Sequence, residues 1–66
     1  MDAMDRRIAM LRRGITQARI ARELGVSGAT VSLVVGGRMK SRRVEEAIAD
    51  ALGISRAVLW PDRVES

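Results

Sequence analysis

Apolar and polar positions along this chain repeat with the period of an α-helix, in five blocks separated by glycines. Met4, Ile8 and Leu11 stand at i, i+4 and i+7 and predict a first helix over 4–13, with these three as its inward face. Asp2 or Asp5 suits the start of that helix, and Arg12 and Arg13 suit its C-terminal dipole. Thr16 is a good N-cap for a second helix over 17–24, with Ile20, Ala21 and Leu24 turned inward. Ser27 opens a third over 28–35, with Val31 and Val34 as its core. The valines lower its intrinsic helix propensity, so packing must hold it. Ser41 opens a fourth over 42–52, where Val44, Ala47, Ile48, Ala51 and Leu52 form the clearest amphipathic stripe in the chain. Ser55 opens a short fifth over 56–60, leaving 61–66 as a frayed tail. Gly14, Gly25, the Gly36-Gly37 pair and Gly53 follow apolar blocks, where left-handed turns are expected. No strand pattern, repeat or linker interrupts this order. The prediction is all-α: one compact five-helix domain over 1–66.

The second and third blocks form a helix-turn-helix. Ala21 must be small where the next helix crosses it, and Gly25 supplies the turn between them. Val26, Val31 and Val34 close on Ile20 and Leu24.

Charge sharpens this picture. Residues 12–43 carry eight basic side chains against Glu23 alone, and the rest of the chain carries four arginines against seven acids. A basic middle with acidic ends is the footprint of a polyanion-binding surface. Composition removes the main competitors. There is no Cys and no His, so no thiolate or imidazole is available for a metal or a nucleophile system. Trp60 is the only aromatic, which argues against a base-stacking RNA-binding sheet. No P-loop spacing and no paired carboxylates in an apolar setting appear, so an enzyme and a cofactor are not expected. No secretory signal is seen, and no apolar run reaches the roughly 18 residues of a membrane span, so the expected compartment is the cytoplasm.

Residues 4–60 resemble the small phage-repressor and Cro-like helix-turn-helix DNA-binding domains, the lambda-repressor-like group. Gly14, Thr16-Gln17, Ala21, Gly25, Val31, Gly37, the fourth-helix stripe and the ending Ala51-Leu52-Gly53-Ile54 to Leu59-Trp60 carry the likeness. The Leu59-Trp60-Pro61 ending is also similar to Ner-like phage regulators. The resemblance implies a transcriptional regulator whose third helix enters the major groove of double-stranded DNA, binding a near-palindromic operator as a homodimer. A repressor that acts by occupying its operator, with no small-molecule effector, fits so small a chain.

The site residues then follow. Thr16 and Gln17 correspond to a phosphate clamp at a helix N-terminus. Ser27, Gly28, Ala29, Thr30, Ser32 and Leu33 fall at the base-reading positions. Gly28 and Ala29 depart from the Gln, Asn or Arg common there, so readout shifts to apolar contact with thymine methyls and to Ser27, Ser32 or Arg38. Gly36 stands where relatives often have Asn, and Arg38, Lys40, Ser41, Arg42 and Arg43 would supply the phosphate contacts instead. Arg6, Arg7, Arg12 and Arg13 are further candidates for flanking phosphates, Arg12 and Arg13 also serving as helix-end charges. Val58, Leu59, Trp60 and Val64 are the expected dimer surface. The competing reading is a protein-interaction module, such as the antitoxin of a toxin-antitoxin pair, built on the same fold.

Overall fold

In the computed structural model, which describes residues 1–63, the chain forms α1 (Ala3–Arg12), α2 (Gln17–Leu24), α3 (Gly28–Val35), α4 (Arg42–Leu52) and α5 (Arg56–Leu59). A 3₁₀ turn, Pro61–Arg63, follows α5 where a frayed tail is expected from the sequence. Among the described residues there is no strand, and the all-α expectation holds. The Cα radius of gyration is 10.6 Å, against about 10.8 Å for a close-packed chain of this length.

Each helix starts on a side-chain cap. Asp2 accepts the Asp5 N–H at 2.8 Å while Asp5 accepts the Asp2 N–H at 3.3 Å, a reciprocal capping box. Thr16, Ser27, Ser41 and Ser55 each accept the N–H three residues on. Gly25 ends α2 at φ 69°, and its N–H bonds Ala21 O, which turns the chain directly into α3.

The core gathers one face of every helix around Ile20, Val31, Val34, Val35, Val44, Ile48, Leu59 and Trp60, all at most 1% exposed. Three sequence expectations change here. First, α1 is rotated. Its buried face is Arg6, Ala9 and Met10, while Met4, Ile8 and Leu11 point outward. Second, α4 buries Glu45 and Ala49 together with Val44, Ile48 and Leu52, and leaves Ala51 exposed. Third, Leu59 and Trp60 are inside and cannot form a dimer surface. Of that predicted surface Val58 alone is exposed, and Val64 lies outside the described residues.

Arg6 explains the rotation. Its Nε donates to Val35 O at 2.6 Å, and its Nη1 donates to Leu59 O at 2.7 Å and Met1 O at 2.9 Å. The guanidinium carbon sits 5.4 Å from the Trp60 ring centre, within cation–π range. Trp60 Nε1 donates to Val34 O at 3.1 Å. Two distant side chains thus hold the carbonyls at the end of α3, which helix geometry leaves without intrahelical partners. Glu45 is satisfied in a similar way. It accepts the Ser41 N–H at 3.3 Å, and its other oxygen lies 3.7 Å from Arg56 Nη1. No buried side-chain nitrogen or oxygen among the described residues lacks a partner.

Candidate nucleic-acid interface

The exposed side of α3 follows from what its core side uses. Val31, Val34 and Val35 are buried, so Ala29 and Leu33, one turn apart, form the outward ridge. Gly28 and Ser32 lie along one side of that ridge and Thr30 along the other. Leu33 keeps 38% of its surface exposed beside two valines that keep none. The consecutive Leu33-Val34-Val35 run therefore divides between surface and core.

The polar groups on this ridge are partly engaged. Ser27 Oγ lies 2.8 Å from Thr30 Oγ1 and also accepts the Thr30 N–H at 3.1 Å. These two hydroxyls act as one local unit that both caps α3 and retains acceptor capacity. Gly28 has no neighbour within 4 Å of where a Cβ would stand, so the start of α3 is open to close approach.

The predicted residues do not all meet. Ser32, Leu33 and Arg38 line one cleft with Ala3, Arg7 and Gly36. Gln17, half-buried at the start of α2, lines a second hollow with Arg7, Met10, Leu11 and Ile15. Arg7 borders both, so α1 places a guanidinium between the N-terminus of α2 and the outer end of α3. Arg6, weighed with it for phosphate contact, is buried and excluded. The signal separating them is helical phase: once Arg6, Ala9 and Met10 face inward, Arg7 falls on the flank beside α3.

The basic loop also divides. Arg38 and Lys40 are exposed. Arg42 pairs with Glu46 at 2.9 Å, and Arg43 Nη2 donates to Leu24 O at 2.8 Å, closing the C-terminal end of α2. Arg43 is thus partly a structural cap, and its side chain remains exposed. Ser41 caps α4 and is half-buried. Arg19 pairs with Glu23 at 3.3 Å on the surface of α2. Exposed pairs of this kind contribute little to stability, and their arginines exchange partners readily.

Among the described residues, no cluster of three or more carboxylates or other metal ligands occurs. No described helix is long and apolar enough to cross a membrane.

Comparison with known proteins agrees with this geometry. The family described as winged helix-turn-helix DNA-binding matches residues 2–66, and the chain belongs to it. It is a helix-turn-helix DNA-binding protein. No curated protein and no solved structure matches the chain. The wing in the family's description has no strand counterpart among the described residues.

Proposed function

We propose that this protein is a sequence-specific double-stranded DNA-binding transcriptional regulator, a repressor of the phage-repressor/Cro-like type that acts by occupying its operator. The whole of 1–66 serves as one DNA-binding domain. The observation that carries the reading is the α3 ridge, an apolar Ala29–Leu33 line bordered by hydroxyls and open at Gly28, with Arg7 and Arg38 beside it. Such a ridge suits close packing of α3 into the major groove. Ala29, the Thr30 methyl and Leu33 meet thymine methyls there, while Ser27, Ser32 and Arg38 supply polar contacts. Thr16 and Gln17 present the N-terminus of α2 to a phosphate. Arg7, Arg38, Lys40, Ser41, Arg42 and Arg43 hold flanking phosphates and fix register without reading sequence. Two copies would read the two halves of a near-palindromic operator about one helical turn apart. The site of action is then the cytoplasm, on DNA.

Selection of bound sites from random duplexes, followed by a salt titration on the winning sequence, tests this. Four to six neutralised phosphates per copy give a log–log slope of roughly −4 to −5. Leu33→Ala should relax preference at one or two thymine positions while leaving folding intact. No enrichment in the selection, or affinity independent of salt, would overturn the reading in favour of a protein-interaction module.

A further inference from the structure

We infer that the outward stripe of α1 is where a second copy of this chain docks, antiparallel, when two copies sit side by side on one duplex. The duplex part rests on the proposed DNA reading; the contact itself does not. Met4, Ile8 and Leu11 are 62%, 39% and 79% exposed, and they lie on the side of α1 opposite its buried face. Single exposed apolar residues are ordinary. Three aligned over two turns of one helix form a ridge of the kind that marks a contact surface.

The flanks of the ridge identify the occupant. Asp5 and Arg12 stand on the same flank, seven residues apart. Two helical turns separate them by about 10 Å along the axis, beyond the three- or four-residue spacing at which helix side chains pair. A second α1 laid antiparallel across the ridge brings Asp5 of each copy against Arg12 of the other, at both ends of the contact. A parallel two-fold copy would set this flank against the Ala3–Arg7 flank of its partner, leaving Arg12 with no carboxylate opposite it and turning the two α3 clefts to opposite sides. The antiparallel arrangement matches both charges of the flank at both ends, as a self-complementary two-fold contact requires.

The opposite flank fixes how the pair faces DNA. Ala3 and Arg7 lie on it, lining the cleft shared with Ser32, Leu33 and Arg38. In the antiparallel pair the two-fold axis runs from the Asp5–Arg12 flank to the Arg7 flank. Both α3 clefts then point the same way, toward one side of a duplex, and the carboxylates point away from its phosphates.

The contact is small. The ten residues of α1 span about 15 Å, and at a helix width of about 10 Å they offer a strip on the order of 150 Å², well short of the roughly 800 Å² per partner of a stable complex. The pair is therefore weak in free solution and forms on DNA, where adjacent half-sites raise the local concentration of each copy.

The chain has no cysteine, so single-cysteine variants report the contact without background. With Asp5 opposite Arg12, Ile8 lies beside the two-fold axis. The two Met4 positions lie about 13 Å apart along it, beyond the roughly 7 Å that a disulfide spans. Ile8→Cys, Met4→Cys and an exposed α5 control, Ala57→Cys, are oxidised under two conditions. One is millimolar protein alone, and the other is dilute protein on a duplex carrying two selected half-sites. Dominant Ile8→Cys crosslinking in both is expected. Ile8→Cys yields no higher than those of Ala57→Cys, or equal yields for Ile8→Cys and Met4→Cys, overturn the docking even if duplex binding is normal. Dominant Ile8→Cys crosslinking in protein that ignores every duplex upholds the contact and removes the DNA reading instead. As a second measure, Ile8→Gln, which adds no charge and lies away from Arg7 and Gln17, should leave single-half-site affinity unchanged and reduce cooperative filling of two half-sites by roughly tenfold. Unchanged cooperativity overturns the proposal.

Discussion

Replacing Arg6 with methionine tests whether the clamp at the end of α3 holds the fold together. The substitution keeps much of the aliphatic stem and removes every guanidinium donor. Two deeply buried bonds, to Val35 O and Leu59 O, are lost along with the shorter-range bond to Met1 O. Hydrogen bonds from a charged group contribute about 1.5–3 kcal/mol each, and a stranded buried carbonyl retains its desolvation cost. The cation–π contact with Trp60 adds about 1 kcal/mol. Better accommodation of methionine in an apolar core offsets part of this, leaving an expected loss of about 3–5 kcal/mol. A chain of this size holds roughly 3–10 kcal/mol in total, so Arg6→Met should lose from about a third to all of its stability. Urea unfolding followed by far-UV circular dichroism and by Trp60 fluorescence measures it, because Trp60 is the only aromatic residue and is fully buried. Arg6→Lys retains a charge and fewer donors, and should fall between the two. An Arg6→Met protein within about 1 kcal/mol of the parent would refute the clamp, since that is the scale of one ordinary net hydrogen bond.

Two glycine substitutions should part in opposite directions. Gly37→Ala meets both a left-handed backbone, φ 79°, and the Arg6 Nη2 at 3.2 Å from the new Cβ. It should cost about 1–3 kcal/mol, and a thermal midpoint equal to the parent's would contradict that. Gly28→Ala meets open space at an ordinary backbone angle, so it should stabilise the fold by about 0.4–1 kcal/mol. If α3 enters the groove closely at this point, the same methyl should weaken binding to the selected duplex roughly tenfold, about 1.4 kcal/mol. Anisotropy titrations and melting curves on one preparation separate the two effects.

The motif is legible in the sequence because its chemistry is local. Thr16, Ser27 and Ser41 each cap a helix with a hydroxyl three residues from its donor, and Gly25 turns the chain where its φ requires no side chain. The rotation of α1 is not legible, because its cause is distant. Met4, Ile8 and Leu11 satisfy a helical stripe, and an arginine is among the residues least expected inside. Arg6 is nonetheless the buried one, held by carbonyls 29 and 53 residues further along the chain. Glu45 passes for a surface carboxylate until Arg56 arrives from α5. The apolar ending misleads for the same reason: composition reports that Leu59 and Trp60 want to leave water, and only the fold decides whether they enter their own core or a partner's. At the candidate interface, Arg7 emerges as a neighbour of α3 only after the phase of α1 is known.

The clamp at the end of α3 also bears on when the protein becomes competent. The helix-turn-helix lies in the middle of the chain, but the carbonyls that end its second helix are held by Arg6 from one side and Trp60 from the other. In a growing chain the motif is complete at Val35, well before Trp60 is added. Until then the Val34 carbonyl lacks its indole donor, and the core lacks its largest side chain. A fragment ending before Trp60 should therefore bind DNA poorly, however intact its central motif.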